Sequence, residues 1–204
     1  MKGNCVRLDT VVGDMVESAL VVSSAEKGTA FITELLNADS IRQISATETA
    51  GGARRLLREQ EFDLVVINAP LSDESGESLS RQIASESISQ AILIVKSEYY
   101  DAVSAACEGD GVLVVAKPLN KAVFLAALKM AKSARNRLML IYKENAQLRQ
   151  KIEDIRIADR AKYILITHMN MSEKEAHRYM EKQAMDMRTT KRAVAEAILR
   201  TYEN

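Results

Sequence analysis

Short apolar runs alternate with stretches of helical period between residues 17 and 120. This alternation is typical of a parallel sheet covered by helices on both faces, because each buried strand is followed by a crossover helix. We therefore predict a doubly wound (βα)5 α/β domain, whose ligand site lies at the carboxyl ends of its strands. The predicted strands are Ala19–Val22, Ile41–Ile44, Leu64–Ile67, Ile92–Val95 and Val112–Val115, with helices near residues 25–37, 48–60, 77–86 and 99–108.

A long helical pattern begins at Lys121 and contains no Gly or Pro through residue 158. Its apolar positions recur at alternating spacings of four and three, which predicts a coiled-coil seam of about four heptads. Asn145 falls at an a position, where a single Asn fixes a parallel two-stranded register. The seam comprises Ala127, Ala131, Ala134, Leu138, Ile141, Asn145, Leu148, Ile152 and Ile155.

The two ends of this seam are expected to have different partners. We predict that Ala127 to Ala134 pack on the sheet as its fifth helix, and that the later heptads pair between two chains. The residues predicted to form the homodimer are Leu138, Ile141, Asn145, Leu148, Ile152 and Ile155. A monomer whose seam folds back on the C-terminal helices remains an open alternative.

Three short helices are predicted after the seam, forming a C-terminal three-helix bundle. The first covers roughly Asp159 to His168. Ser172 and Glu175 have the spacing of a capping box, which begins a second helix that runs to about Met187. Thr189 or Thr190 caps the third, Lys191 to Tyr202.

Charge is unevenly distributed, although 28 basic and 28 acidic side chains cancel. Residues 1–120 hold 10 basic and 18 acidic side chains (−8), and residues 121–204 hold 18 basic and 10 acidic ones (+8). The balance argues against a wholly basic nucleic-acid-binding protein. The two parts are therefore expected to have different partners.

Other classes of protein are disfavoured by what the sequence lacks. No signal peptide and no run of about 20 apolar residues is present, so we expect a cytoplasmic protein without a membrane partner. No Ser-His-Asp set, metal-ligand cluster or Gly-rich phosphate loop is legible, so we expect no enzyme activity, no cofactor and no metal.

The residues at the predicted strand ends resemble those of response-regulator receiver domains. Lys117-Pro118 follows strand five, as in that family, and the spacing from Asn68 to Gly76 after strand three also fits. The resemblance implies that Asn68 stands at the phosphoacceptor position and that Ser97 matches the hydroxyl residue after strand four. A one-residue slip to Lys96 remains open.

The same resemblance shows where this sequence departs from the family. Ser23 and Ser24 stand where receivers keep their Mg²⁺-binding carboxylates, and Asn68 replaces the phosphoacceptor Asp. An amide is neither charged nor nucleophilic enough for phosphoryl transfer, so we expect a pseudo-receiver without phosphorylation. The alternative is a different alignment, in which Asp63 or Asp73 is the acceptor.

The C-terminal residues resemble the ANTAR domain of transcription antitermination regulators. The resemblance rests on Ile157 to Leu165, Met171 to Ala176 and Gln183 to Ala195, with Tyr163 where the family commonly has Gly. A receiver, a coiled coil and an ANTAR domain in this order resemble the amidase-type and ethanolamine-type antiterminators. The corresponding domains are 1–16 (N-terminal extension), 17–120 (receiver-like), 121–157 (coiled-coil linker) and 158–204 (ANTAR).

The resemblance implies binding to stem-loops of nascent leader mRNA. Lys and Arg would hold the phosphates while unpaired bases are read by stacking and hydrogen bonding. The candidate RNA-binding residues are Lys162, Arg178, Lys182, Arg188, Thr189, Lys191 and Arg192. The alternative function is a DNA-binding response regulator. In the amidase-type relatives a sequestering protein provides control, so a regulatory protein is expected to bind the receiver-like domain.

Overall fold

The computed structural model describes residues 16–202. The predicted N-terminal extension, residues 1–16, therefore lies almost wholly outside the described residues. The chain divides into two units, with the boundary between Leu140 and Ile141.

The first unit is a five-stranded parallel sheet with helices on both faces. Its strand order, β2-β1-β3-β4-β5, confirms the predicted doubly wound α/β fold. The strands are β1 (Ser18–Ser23), β2 (Gln43–Thr47), β3 (Leu64–Asn68), β4 (Gln90–Lys96) and β5 (Leu113–Lys117). The helices that connect them are α1 (Glu26–Ala38), α2 (Ala50–Glu59), α3 (Glu77–Glu86) and α4 (Tyr100–Cys107).

Each face of the sheet has its own apolar core, because successive strand residues point to opposite faces. On one face Val21 and Val66 pack with Leu36 of α1 and with Phe124 of helix α5, which begins at Lys121. The core of the other face includes Leu79 of α3. Ala127 and Ala131 are buried in the first core, which confirms that the alanine end of the seam packs on the sheet.

A single helix, α5 (Lys121–Met169), extends from the first unit into the second. The prediction of a separate helix beginning at Asp159 is wrong, because no Gly or Pro interrupts the backbone there. The helix ends before Asn170, whose φ of 52° is the left-handed conformation that stops a helix. Although α5 has 49 residues, no helix within residues 16–202 is both long and apolar enough to span a membrane.

The second unit is a three-helix bundle formed by the C-terminal part of α5 with α6 (Glu173–Asp186) and α7 (Lys191–Tyr202). The predicted bundle is thus present, with the end of α5 as its first member. Its core side chains are Ala161, Leu165, Ala176, Met180, Ala184, Val194 and Ala195.

Candidate functional sites

Ser23 and Asn68 lie side by side at the carboxyl ends of β1 and β3, where the two strands are paired. The Asn68 Nδ2 atom donates a hydrogen bond of 2.9 Å to Ser23 Oγ. A Cβ atom added to Gly28 would lie only 2.4 Å from that Nδ2 atom, so a glycine is what lets α1 pass close to the amide. Sequence reasoning missed Gly28, since only the folded chain brings it to this position.

Lys117 and Ser97 complete this cluster at the ends of β4 and β5. The Lys117 Nζ atom donates to the carbonyl oxygen of Ala69 at 2.5 Å, and the Ser97 hydroxyl donates to the carbonyl oxygen of Lys117. Burial, and secondarily the positive charge of Lys96, lower the pKa of the Lys117 ammonium. Ser97, the first residue after β4, thus contacts the backbone of Lys117 through its hydroxyl.

The five residues predicted for the degenerate phosphoacceptor site thus lie at one end of the sheet. Ser24, the fifth, donates to the carbonyl oxygen of Pro70 at 3.2 Å. These five residues offer three hydroxyls, from Ser23, Ser24 and Ser97, the amide of Asn68 and the ammonium of Lys117. None of the five is a carboxylate. Octahedral Mg²⁺ binds preferentially to carboxylate oxygens, so this set of side chains does not fit the ion that receiver domains use.

Asp63 and Asp73, the alternative acceptors, both have structural partners. Asp63 lies just before β3, at the opposite end of the strand, where its Oδ2 accepts the N–H groups of Glu17 at 2.7 Å and Ser18 at 3.0 Å. Asp73 caps α2 by accepting the N–H groups of Ala50 and Gly51, each at 2.9 Å. These bonds lower the pKa of the Asp73 carboxyl. Both alternative carboxylates thus bind backbone N–H groups of neighbouring elements.

The second unit presents exposed cationic side chains along one face of α6. Lys174, Arg178 and Lys182 are spaced four residues apart and are exposed, so they share this face. None of the three makes an ion pair within residues 16–202. We call these three residues the cationic stripe. Met185, 78 % exposed, continues the same face. Lys174 and Met185 were not among the predicted site residues, although the four-residue spacing of Lys174, Arg178 and Lys182 is visible in the sequence.

Arg188 follows α6 in a left-handed backbone conformation, with φ of 49°. The N–H of Arg188 bonds to the Met185 carbonyl at 3.2 Å, and the N–H of Thr189 bonds to the Ala184 carbonyl at 2.9 Å. This pair of bonds is a Schellman motif, in which glycine usually occupies the Arg188 position. The exposed Arg188 side chain has no ion pair among the described residues.

The other predicted RNA-binding cations are already paired within the second unit. Lys162 contacts Asp159 at 2.8 Å and Glu173 at 3.6 Å, and its hydrogen bond to Asp159 raises the pKa of its ammonium. Lys191 contacts Glu181 at 2.5 Å. Arg192 contacts Asp154 and Glu196, at 2.7 and 2.8 Å.

Thr189 and Thr190, the two candidate caps of α7, have different roles in the turn between α6 and α7. Thr190 is the cap of α7, because its Oγ1 atom accepts the Ala193 N–H at 3.1 Å. Thr189 is exposed beside Arg188. At the other end of α6, Ser172 and Glu175 form both bonds of the predicted capping box.

An apolar stripe is exposed along the middle of α5. Its members are the later residues of the predicted seam, Leu138, Ile141, Leu148, Ile152 and Ile155. Asn145 lies among them, with its Nδ2 atom bonded back to the Ile141 carbonyl at 3.0 Å. Within the described residues of one chain, these side chains are thus not part of any of the three apolar cores.

The chain thus combines a five-stranded parallel α/β unit of receiver-like fold with a long helix and a C-terminal helical bundle. Residues 146–199 match the ANTAR domain family, and their first residues lie in the range predicted as linker. Over 170 residues, or 83 % of each chain, the sequence is 25 % identical to the transcriptional regulatory protein PdtaR of Mycobacterium tuberculosis.

Solved structures share the fold of the first unit. The signal receiver domain of an HD domain-containing protein from Pseudomonas fluorescens Pf-5 aligns with a TM-score of 0.54 at 22 % identity, covering 63 % of this chain and 96 % of that one. An adenylate cyclase structure from Rhodopirellula baltica aligns with a TM-score of 0.55 at 15 % identity, covering 65 % and 97 %. At these identities the likeness concerns the fold alone.

Proposed function

We propose that this chain is an RNA-binding transcription antiterminator that acts on stem-loops of nascent leader mRNA. The single observation that carries the proposal is the group of exposed cations on α6 and its C-terminal cap that make no ion pair within residues 16–202. Phosphate contacts by Lys and Arg supply most of the affinity for nucleic acid. The ANTAR match of the same residues and the likeness to a transcriptional regulator support it.

Within the predicted RNA-binding set, the contacts divide the residues by role. Among the described residues Arg178, Lys182 and Arg188 have no ion pair that binding to phosphates would break. Lys162, Lys191 and Arg192 connect helices of the bundle to one another, so their main role is to position α6 and α7. Thr189 lies next to Arg188 and is a candidate for a hydroxyl contact to the RNA.

Replacing two cations of the stripe tests the function directly. We expect Arg178→Ala/Lys182→Ala to weaken binding of hairpin RNA and to lower the slope of log Kd against log salt by about two, one for each lost phosphate contact. The hairpins are selected from a pool with a fixed stem and a randomised loop, and affinity is measured by fluorescence anisotropy.

The matched control is Lys27→Ala/Arg58→Ala, which removes one exposed Lys and one exposed Arg from the first unit. It should leave both affinity and slope unchanged. A preference of the wild-type chain for promoter duplex DNA over hairpin RNA contradicts the proposal and favours a DNA-binding response regulator. Equal losses in both double variants contradict the assignment of the stripe.

The first unit is proposed to act without phosphorylation, since Asn68 with Ser23 and Ser24 supplies neither a carboxylate nucleophile nor ligands for Mg²⁺. Control would then come from a regulatory protein that binds this acidic receiver-like domain. Capture by the full chain followed by cross-link mapping tests this: cross-links should fall within residues 17–120. Cross-links confined to residues 158–204 contradict it.

The exposed apolar stripe of α5 is proposed to form a parallel homodimer. A second copy of the same helix fits the stripe because the heptad spacing of Leu138, Ile141, Leu148, Ile152 and Ile155 is self-complementary in a coiled coil. Asn145 would lie in the same interface and fix its register.

A further inference from the structure

Tyr163 is a large aromatic side chain that the bundle leaves exposed. Its side chain is 68 % exposed, and α5 continues through it without a break. The neighbouring Ala161 and Leu165 belong to the core, and Ile164 is also buried. The core therefore does not use the Tyr163 ring, and burying such a ring against a partner would be strongly favourable.

The surroundings of Tyr163 carry a net positive charge. Arg160 and Asp159 lie one turn before it and Arg156 two turns before it, on the same side of α5. Asp159 is already paired with Lys162, at 2.8 Å. Arg156 contacts Glu153 at 3.9 Å on the surface, a type of pair that is weak in water. A polyanion is thus a better match for this surface than an apolar protein face.

The turn of α5 that carries Tyr163 contacts the first turn of α6, where the cationic stripe begins. Lys162, the preceding residue, reaches Glu173 at the first turn of α6 with a contact of 3.6 Å. The stripe begins at the next residue, Lys174. A nucleic acid bound along α6 can therefore continue onto the turn of α5 that carries Tyr163.

We propose that the Tyr163 ring is a stacking platform for an unpaired base of the RNA that the cationic stripe binds. The inference rests on the proposed RNA-binding function. Single-stranded loops expose base faces that stack on aromatic side chains, while adjacent Lys and Arg hold the backbone. The hydroxyl is not required for stacking, so a phenylalanine should replace the tyrosine.

The experiment uses the full chain and selected hairpins whose loops carry 5-iodouridine, a base that cross-links to a stacked aromatic ring under ultraviolet light. Tyr163→Ala should weaken binding roughly 5- to 100-fold, the range expected for loss of one base–aromatic stack, and Tyr163→Phe should restore it. Mass spectrometry should place the cross-link on Tyr163. Tyr142→Ala is the matched control, since the Tyr142 side chain also lies on α5 and has a similar exposure, 60 %.

The outcomes separate this inference from the function on which it rests. If the wild-type chain binds hairpins and Tyr163→Ala binds equally well, the inference is wrong and the proposed function stands. If no hairpin is selected by the wild-type chain, both are wrong. If Tyr163→Ala changes the sedimentation coefficient as well as affinity, Tyr163 belongs to a contact between copies of the chain, which also overturns the inference.

Discussion

Arg188 is held in a backbone conformation that a glycine adopts at lower cost. A left-handed conformation destabilises a non-glycine residue by about 1 kcal/mol, and no ion pair in the described residues offsets this. We therefore expect Arg188→Gly to keep or raise the melting temperature of the chain while weakening hairpin binding and lowering its salt slope by about one.

Arg188→Ala separates the two effects, because it removes the guanidinium but retains the strained backbone. It should lose as much affinity as the glycine variant without the gain in melting temperature. Calorimetry and anisotropy measure the two quantities. Unchanged RNA binding by the glycine variant contradicts a role for Arg188 in recognition.

Sequence reasoning could identify the residue types at both sites but not their partners. Ser23, Asn68 and Lys117 follow predicted strands, and parallel strands bring their ends together, so their proximity was predictable. The pairing of Arg192 with Asp154 and of Lys191 with Glu181 was not, because those pairs join different helices. These ion pairs set Lys191 and Arg192 apart from Arg178 and Lys182, a distinction that the concentration of charge along the sequence does not make.

Among the elements, the exposed seam of α5 leads to a prediction about association. Leu148 is 55 % exposed within one chain, so Leu148→Lys should leave the fold intact while introducing a charge at a d position of the dimer. We expect a shift from dimer to monomer in sedimentation velocity. Leu140→Lys, at a similarly exposed position (49 %) outside the seam, should remain dimeric. A wild-type chain that is monomeric at micromolar concentration contradicts the coiled coil.

The boundaries of the strands show which features of the sequence predict the fold correctly. The buried strands β1, β3 and β4 and the half-buried edge strand β5 lie where continuous apolar runs predicted them. The second strand begins at Gln43 instead of Ile41. Ile41 lies in the turn after α1, where its side chain is buried in the core and its N–H donates a hydrogen bond to the Leu36 carbonyl at 3.2 Å. An apolar residue in a turn cannot be told from the start of a strand by hydrophobicity alone.

At the scale of the whole molecule, the two parts of the chain carry opposite net charges, which in the proposed function correspond to regulation and to RNA binding. The −8 of residues 1–120 disfavours contact with RNA, and the +8 of residues 121–204 favours it. In the proposed function a signal reaches the cationic part through a protein bound to the acidic part. A phosphoryl group on the first unit would then have no role in the response.

That view predicts that the RNA affinity of the full chain is the same with and without acetyl phosphate and Mg²⁺. Intact-mass spectrometry should find no phosphoryl adduct on the wild-type chain, and none on Asn68→Asp, because Ser23 and Ser24 still provide no carboxylate ligands for Mg²⁺. The triple variant Ser23→Asp/Ser24→Asp/Asn68→Asp restores all three carboxylates and is the positive control for the chemistry. An adduct on the wild-type chain, or a shift in its Kd for hairpin RNA upon treatment, contradicts a phosphorylation-independent first unit.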